Sequence, residues 1–127
     1  MAEVGTGKDD RKAFGQFAEG LAADYLVKRG YTILGRNVRL RMGELDIVAL
    51  HQGELVFCEV KARRSDLFGS PADAIDYRKQ HKLSMLAECY QQIHPQWRNH
   101  ACRFDAILIT RQGSSWQVEV VQNAFGF

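Results

Sequence analysis

The sequence predicts an α/β domain whose central mixed sheet has five strands, a three-strand antiparallel meander plus a crossover strand and its partner, flanked by helices in the order αβββαββ. Three observations predict it. Apolar residues recur at spacings of three and four in two stretches, 14–26 and 83–93, as on helices that bury one face. Three strand-like runs separated by short turns follow the first stretch, and such runs most simply pair as a meander. The link from the third strand to the fourth contains the second helix, which makes it long enough to join parallel strands.

The first eight residues, small and polar with two glycines, are expected to be frayed, and a single domain is expected over 9–127. Asp9 or Asp10 caps a helix on which Phe14, Phe17, Ala18, Leu21, Ala22, Tyr25 and Leu26 share a stripe, and Gly30 stands where a C-terminal glycine cap belongs. "TILGRNVRLRMG" then alternates Val38, Leu40 and Met42 with Asn37, Arg39 and Arg41. That period of two predicts a first strand ending at Met42 and Gly43.

Two more strands, "ELDIVALH" and "ELVFCEVKAR", meet at Gln52 and Gly53. Both are apolar at alternate and intervening positions, as in a sheet covered on both faces. After a basic stretch and the turn "FGSP", Ser70 with Pro71 and Asp73 offers one start for the second helix and Asp76 another. Leu83, Leu86, Ala87, Tyr90 and Ile93 mark its apolar face, and it must stop before Pro95. "CRFDAILIT" and "SWQVEVV" read as the fourth and fifth strands around the turn "RQGS".

A chain of 127 residues, 46% hydrophobic and 25% charged, has the size and composition of one globular domain with a real core. Its net charge of +2 is no signature of nucleic-acid binding, so any such surface must come from local clustering. Cys58, Cys89 and Cys102 are odd in number and widely spaced, which argues against a disulfide framework or a CxxC metal site and for buried thiols. No apolar run approaches the roughly 20 residues that span a bilayer, and "MAEVGTGKDD" is no signal peptide. A cytoplasmic protein with no membrane partner is expected.

The hairpin stretch "GELDIVALHQGELVFCEVK" carries Glu44, Asp46, Glu59 and Lys61 among its valines, leucines and isoleucines. If Gln52 and Gly53 form a two-residue loop, Asp46 faces Glu59 and Glu44 faces Lys61, all on one side of the pleat with Cβ atoms about 4.5 to 5.5 Å apart. A four-residue loop keeps this pairing and a three-residue loop breaks it. Two acids facing each other on a buried sheet repel and lose hydration, which raises a carboxyl pKa or calls for a cation between them. Mg²⁺ suits such a pair, because it takes oxygen ligands, commonly one or two carboxylates, and keeps water and substrate phosphate for its other positions. The structural alternative is a cross-strand ion cluster worth roughly 0.2 to 1 kcal/mol per pair.

Asp46 followed by Glu59-Val60-Lys61, after a helix carrying Glu19, resembles the PD-(D/E)xK nuclease superfamily, of restriction-endonuclease-like fold. "FAEGLAADYLVKRGYTILGRNVR", "GELDIVAL", "LVFCEVKARRSDLFGSPADAI", "KQHKL" and "CRFDAILI" further resemble the YraN-like bacterial proteins, uncharacterised protein family 0102. The resemblance runs from about Phe14 to Ile109, and it implies a metal-dependent endonuclease using Mg²⁺ or Mn²⁺. Asp46 and Glu59 would be the metal-binding carboxylates, with the Val60 carbonyl a further ligand and Lys61 the catalytic lysine. Glu19 matches the helical glutamate of the similar archaeal Holliday-junction resolvases, Arg36 a basic residue that those enzymes place on DNA, and Glu44 the glutamate of the family's GE(I/L)D signature. The proline of "PD" is replaced here by Glu44-Leu45 before the aspartate. Similar resolvases cut as symmetric pairs, so a homodimer on branched DNA is the corresponding expectation. A non-catalytic DNA-binding module on the same scaffold is the alternative.

Arg36, Arg39 and Arg41 precede the site, Arg63 and Arg64 follow it, and Arg78, Lys79 and Lys82 open the second helix. Together they predict a positive rim for a phosphate backbone. By analogy with related nucleases, Lys79 and Gln80 are candidates for contacts near the site. The four histidines show no ligand spacing and are expected at the surface. Trp116 continues an apolar alternation and reads as core, and Asp105 is expected to play a structural role facing Arg103 or a neighbouring strand.

Overall fold

The computed structural model describes residues 8–63 and 75–126. The expected fray of residues 1–7, the side chains of Asp9, Asp10 and Arg63, the turn "FGSP", the helix start at Ser70, Pro71 and Asp73, and Arg64 lie outside the described residues; the first helix already includes Lys8, so the expected cap at Asp9 or Asp10 is corrected. The elements are α1 (Lys8–Lys28), β1 (Thr32–Leu40), β2 (Gly43–His51), β3 (Glu54–Arg63), α2 (Tyr77–Ile93), a 3₁₀ turn at Pro95–Trp97, β4 (Cys102–Gln112) and β5 (Ser115–Phe125). The five strands lie side by side in chain order, antiparallel except for the parallel β3–β4 pair. With a helix on each face, this is the restriction-endonuclease-like α/β topology.

Local chemistry explains the breaks between elements. Gly30, at φ 91°, turns the chain out of α1, and the Tyr31 amide donates back to the Leu26 carbonyl at 3.0 Å. Gln52 and Gly53, at φ 52° and 79°, form a two-residue turn with both centres left-handed, the conformation that matches strand twist. It fixes His51 opposite Glu54 and, four steps on, Ile47 opposite Cys58. Of the two candidate starts for the second helix, Asp76 is the observed cap, its carboxylate accepting from the Lys79 amide at 2.8 Å.

The sheet separates two cores. On one face the small residues Ala18, Ala22 and Ala23 let α1 approach Ile47, Ala49, Val56, Cys58, Ile107 and Ile109 closely. On the other, Leu83, Leu86, Ala87 and Tyr90 of α2 pack on Val48, Leu55, Phe57 and Phe104. Burial of β3 and β4 on both sides is why their sequences run apolar at consecutive positions.

Several expectations are corrected. β1 stops at Leu40; Arg41 and Met42 make the turn, and Met42 is 54% exposed. Cys58 is buried, but Cys89 and Cys102 are only half-buried. His51 is no surface residue: its ring stacks on Tyr31 with centroids 3.9 Å apart, and its Nδ1 lies 2.6 Å from an Arg103 nitrogen. A guanidinium only donates, so Nδ1 accepts. Arg103 also donates to Glu54 and to Asp105, whose fully buried carboxylate accepts in addition from Tyr31 and the Asn123 amide. Among the described residues no helix is long and apolar enough to cross a membrane.

Candidate metal centre and nucleic-acid face

The site is built where β2 lets go of β3. Their ladder runs from His51–Glu54 to Ile47–Cys58. Beyond it, the alternation of β2 slips: Leu45 and Val48 enter the α2-side core, while Ile47 and Ala49 enter the other. Asn37 lies opposite this slip, between Arg36 and Val38, which pair with Ile47 and Leu45, and its φ of 50° is left-handed. At the opening, the Val60 amide donates to the Asp46 carboxylate at 2.9 Å, so a side chain takes the place of the next main-chain acceptor.

The expected row of four charged residues on one side of the pleat is therefore corrected. Asp46 faces an open cleft of about 230 Å³ on the α1 side, lined by Phe14, Gly15, Ala18, Glu19, Asp46, Val60 and Ala62. Glu59 is 4% exposed and meets Lys79 of α2, whose ammonium is 3.1 Å away. The Asp46 and Glu59 carboxyls still interact through the gap. Burial, then hydrogen bonding to Asp46 and its charge, push Glu59 up to about 8 against the opposing pull of Lys79. Near neutral pH the pair thus retains a proton, which a divalent cation would displace.

Glu19 reaches the same cleft from α1. Burial, followed by the charge of Asp46, raises its pKa, while a hydrogen bond from Asn37 and the Arg36 guanidinium act the other way. One Glu19 oxygen, Oε1, is buried without a hydrogen-bond partner. That orphaned acceptor beside Asp46 fits a hard cation or its water, and carboxylates with a main-chain carbonyl make the all-oxygen donor set that Mg²⁺ and Mn²⁺ take. Among the described residues no group of three His, Cys, Asp or Glu side chains forms a ready metal cluster.

Glu44 turns away from Lys61 to Arg39, 3.5 Å off, an exposed pair of small energetic value. Lys61 is half-buried, and among the described residues its ammonium has no carboxylate within 4.0 Å. Arg36 is exposed beside Gly20 of α1. Arg39 and Arg41 are exposed and, with Leu40, Gly43 and Glu44, line a second hollow of about 370 Å³. Lys82 is exposed on α2 and packs its stem over Gly43, bringing the β1–β2 turn and α2 into one basic neighbourhood. Lys79 is drawn into the pair with Glu59, and the Gln80 amide holds the Ile75 carbonyl at 3.0 Å. Asn37 was not singled out from the sequence; an asparagine interrupting a β-rich run was its only signal, since asparagine tolerates the left-handed region.

The family model "Uncharacterised protein family UPF0102" matches residues 18–109. A UPF0102 protein of Magnetococcus marinus is 51% identical over 114 residues, covering 90% of this chain and 92% of the relative. Others from Stutzerimonas stutzeri and Clostridium botulinum are 39% and 40% identical over 116 residues, covering 91% and 90% of this chain and 97% and 94% of the relatives. With Glu19, Asp46, Glu59 and Lys61 all inside the matched span, the chain belongs to the uncharacterised protein family UPF0102.

Proposed function

We propose that this protein is a metal-dependent endonuclease of the PD-(D/E)xK type, hydrolysing phosphodiester bonds of DNA, branched DNA included. The observation that carries the reading is the meeting of Asp46 with both the Val60 amide and the Glu59 carboxyl where the hairpin splits open. A buried acid against a second carboxyl is costly unless a proton or a cation joins the two.

Asp46, Glu59 and the Val60 carbonyl would hold Mg²⁺ or Mn²⁺. Such a cation supplies Lewis-acid stabilisation of the charge that develops on the phosphoryl oxygens during an in-line displacement. Lys61, on β3 two residues beyond Glu59, hydrogen-bonds the attacking water or a phosphate oxygen and supplies positive charge there. Glu19 offers its unpartnered oxygen to water or cation, and Glu44 holds Arg39 at the entrance. Arg36, Arg39, Arg41, Arg63, Arg64 and Lys82 compensate backbone phosphates, while Lys79 and Gln80 order the start of α2 beside the acids. A symmetric pair of copies would bring two such sites to two strands, which light scattering of the DNA-bound protein checks.

The test incubates linear, supercoiled and four-way-junction DNA with the protein and Mg²⁺, Mn²⁺ or EDTA, beside Asp46→Asn. Metal-dependent nicking that Asp46→Asn abolishes is expected. The second reading, a non-catalytic DNA-binding module, is favoured by the Lys79–Glu59 pair, which gives the buried acid a counter-charge without a metal ion. Salt-sensitive DNA retention without cleavage in any metal selects it.

A further inference from the structure

Resting on the metal-site reading above, we propose that Asn37 is a positioning residue, whose left-handed backbone opens the sheet at Asp46 and whose side chain aims the Glu19 carboxylate into the cleft beside it. Asn37 sits in the interior of β1, where φ 50° is foreign to a strand, and it stands opposite Asp46 by the register of its two neighbours. At the same level, β2 changes the phase of its side chains and its ladder with β3 ends.

The side chain has a second task. Glu19 comes from α1, a separate element that the sheet register cannot align, and a long flexible side chain must be held if it is to serve one point in space. Asn37 engages Glu19, while Oε1 stays buried with no partner. An amide donor on one oxygen fixes the carboxylate and leaves Oε1 unpartnered in a residue that lines the cleft with Asp46, the arrangement by which an outer residue orients a ligand or the acid that holds its water.

Glycine and alanine separate the two tasks. Asn37→Gly keeps the left-handed conformation and removes the amide; Asn37→Ala removes the amide and also strains the backbone. Mn²⁺ binding to the full chain without DNA, followed by electron paramagnetic resonance of the free ion, reads the outcome. Asn37→Gly is expected to bind Mn²⁺ about tenfold more weakly with an unchanged melting temperature, and Asn37→Ala to lose affinity and melting temperature together. In a Glu19→Gln background, Asn37→Gly is expected to add no further loss, because its action runs through Glu19.

Wild-type Mn²⁺ affinity in Asn37→Gly, or an undiminished loss in the Glu19→Gln background, overturns the inference while leaving the metal site standing. A wild-type protein that binds no Mn²⁺ overturns both. Should the glycine variant not fold, Asn37→Asp provides the reading, since aspartate also tolerates the left-handed region but offers an acceptor in place of the donor; it is expected to weaken Mn²⁺ by at least as much, and wild-type affinity there refutes the proposal.

Discussion

Lys79, in the first turn of α2, holds its ammonium 3.1 Å from the Glu59 carboxylate of β3. The crossover helix is thereby tied to the middle strand at the level of the candidate site, and the one buried acid of the hairpin gains a counter-charge. Lys79→Met removes that charge, so Glu59 keeps its proton to higher pH. Mn²⁺ affinity is expected to fall more at about pH 6.5 than at about pH 8.5, where the proton is leaving anyway. Isothermal titration at both pH values checks this, and an equal change at both refutes it.

The raised Glu59 pKa also sets a pH dependence of stability. A carboxyl whose folded pKa lies near 8, against an ordinary glutamate value of about 4.5, holds its proton more tightly in the folded state. Its unfavourable contribution is absent below about pH 4.5, grows as pH rises from there towards 8, and is complete above that. The metal-free protein should lose melting temperature over this window, and Glu59→Gln should flatten the slope. Saturating Mn²⁺ should raise the melting temperature more at the alkaline end than at the acid end, as scanning fluorimetry will read.

Lys61→Ala should leave the fold intact, because the side chain is half-buried and has no ion-pair partner among the described residues. Supercoiled-DNA nicking should fall by about 100-fold or more, while retention of DNA in a gel-shift assay without metal changes little. Full nicking activity in this variant would remove Lys61 from its assigned role.

At the other end of the sheet, Arg103 is 6% exposed and donates to Glu54, Tyr31, His51 and Asp105. Arg103→Met leaves the wholly buried Asp105 charge without its guanidinium. A loss of about 3 to 5 kcal/mol in urea unfolding is expected, and a loss below about 1 kcal/mol would mean that the Tyr31 hydroxyl and Asn123 amide suffice.

Order, pairing and hairpin register were legible in the chain because they rest on local chemistry. Gln52-Gly53 permits the left-handed turn that puts His51 against Glu54, and the helical spacing of Leu83, Leu86 and Tyr90 marks the crossover. The placement of the acids was only half legible. Counting back from the turn brings Asp46 to Glu59, yet it cannot reveal that Asn37, on the adjacent strand β1, has a left-handed backbone beside the slip in β2, or that the Asp46 carboxylate accepts from the Val60 amide there. The same limit applies to His51, whose burial depends on Tyr31 and Arg103, residues distant in sequence. Lys79 and Gln80 were named by analogy with related nucleases, but what they touch is decided by how α2 lands on the sheet.

The sheet's strands keep their chain order, which leaves β1 and β5 as its two outer borders. Each border is crooked: β1 carries Asn37 at φ 50° and a register shift near Gly35, and β5 carries Asn123 at φ 54° near its own shift. Arg36 and Arg39 on one, and Gln117 and Glu119 on the other, stand exposed along these margins. A strand arriving from a neighbouring molecule meets bent backbone and charge instead of a long straight row of amides, so the protein is guarded against edge-to-edge aggregation on both flanks.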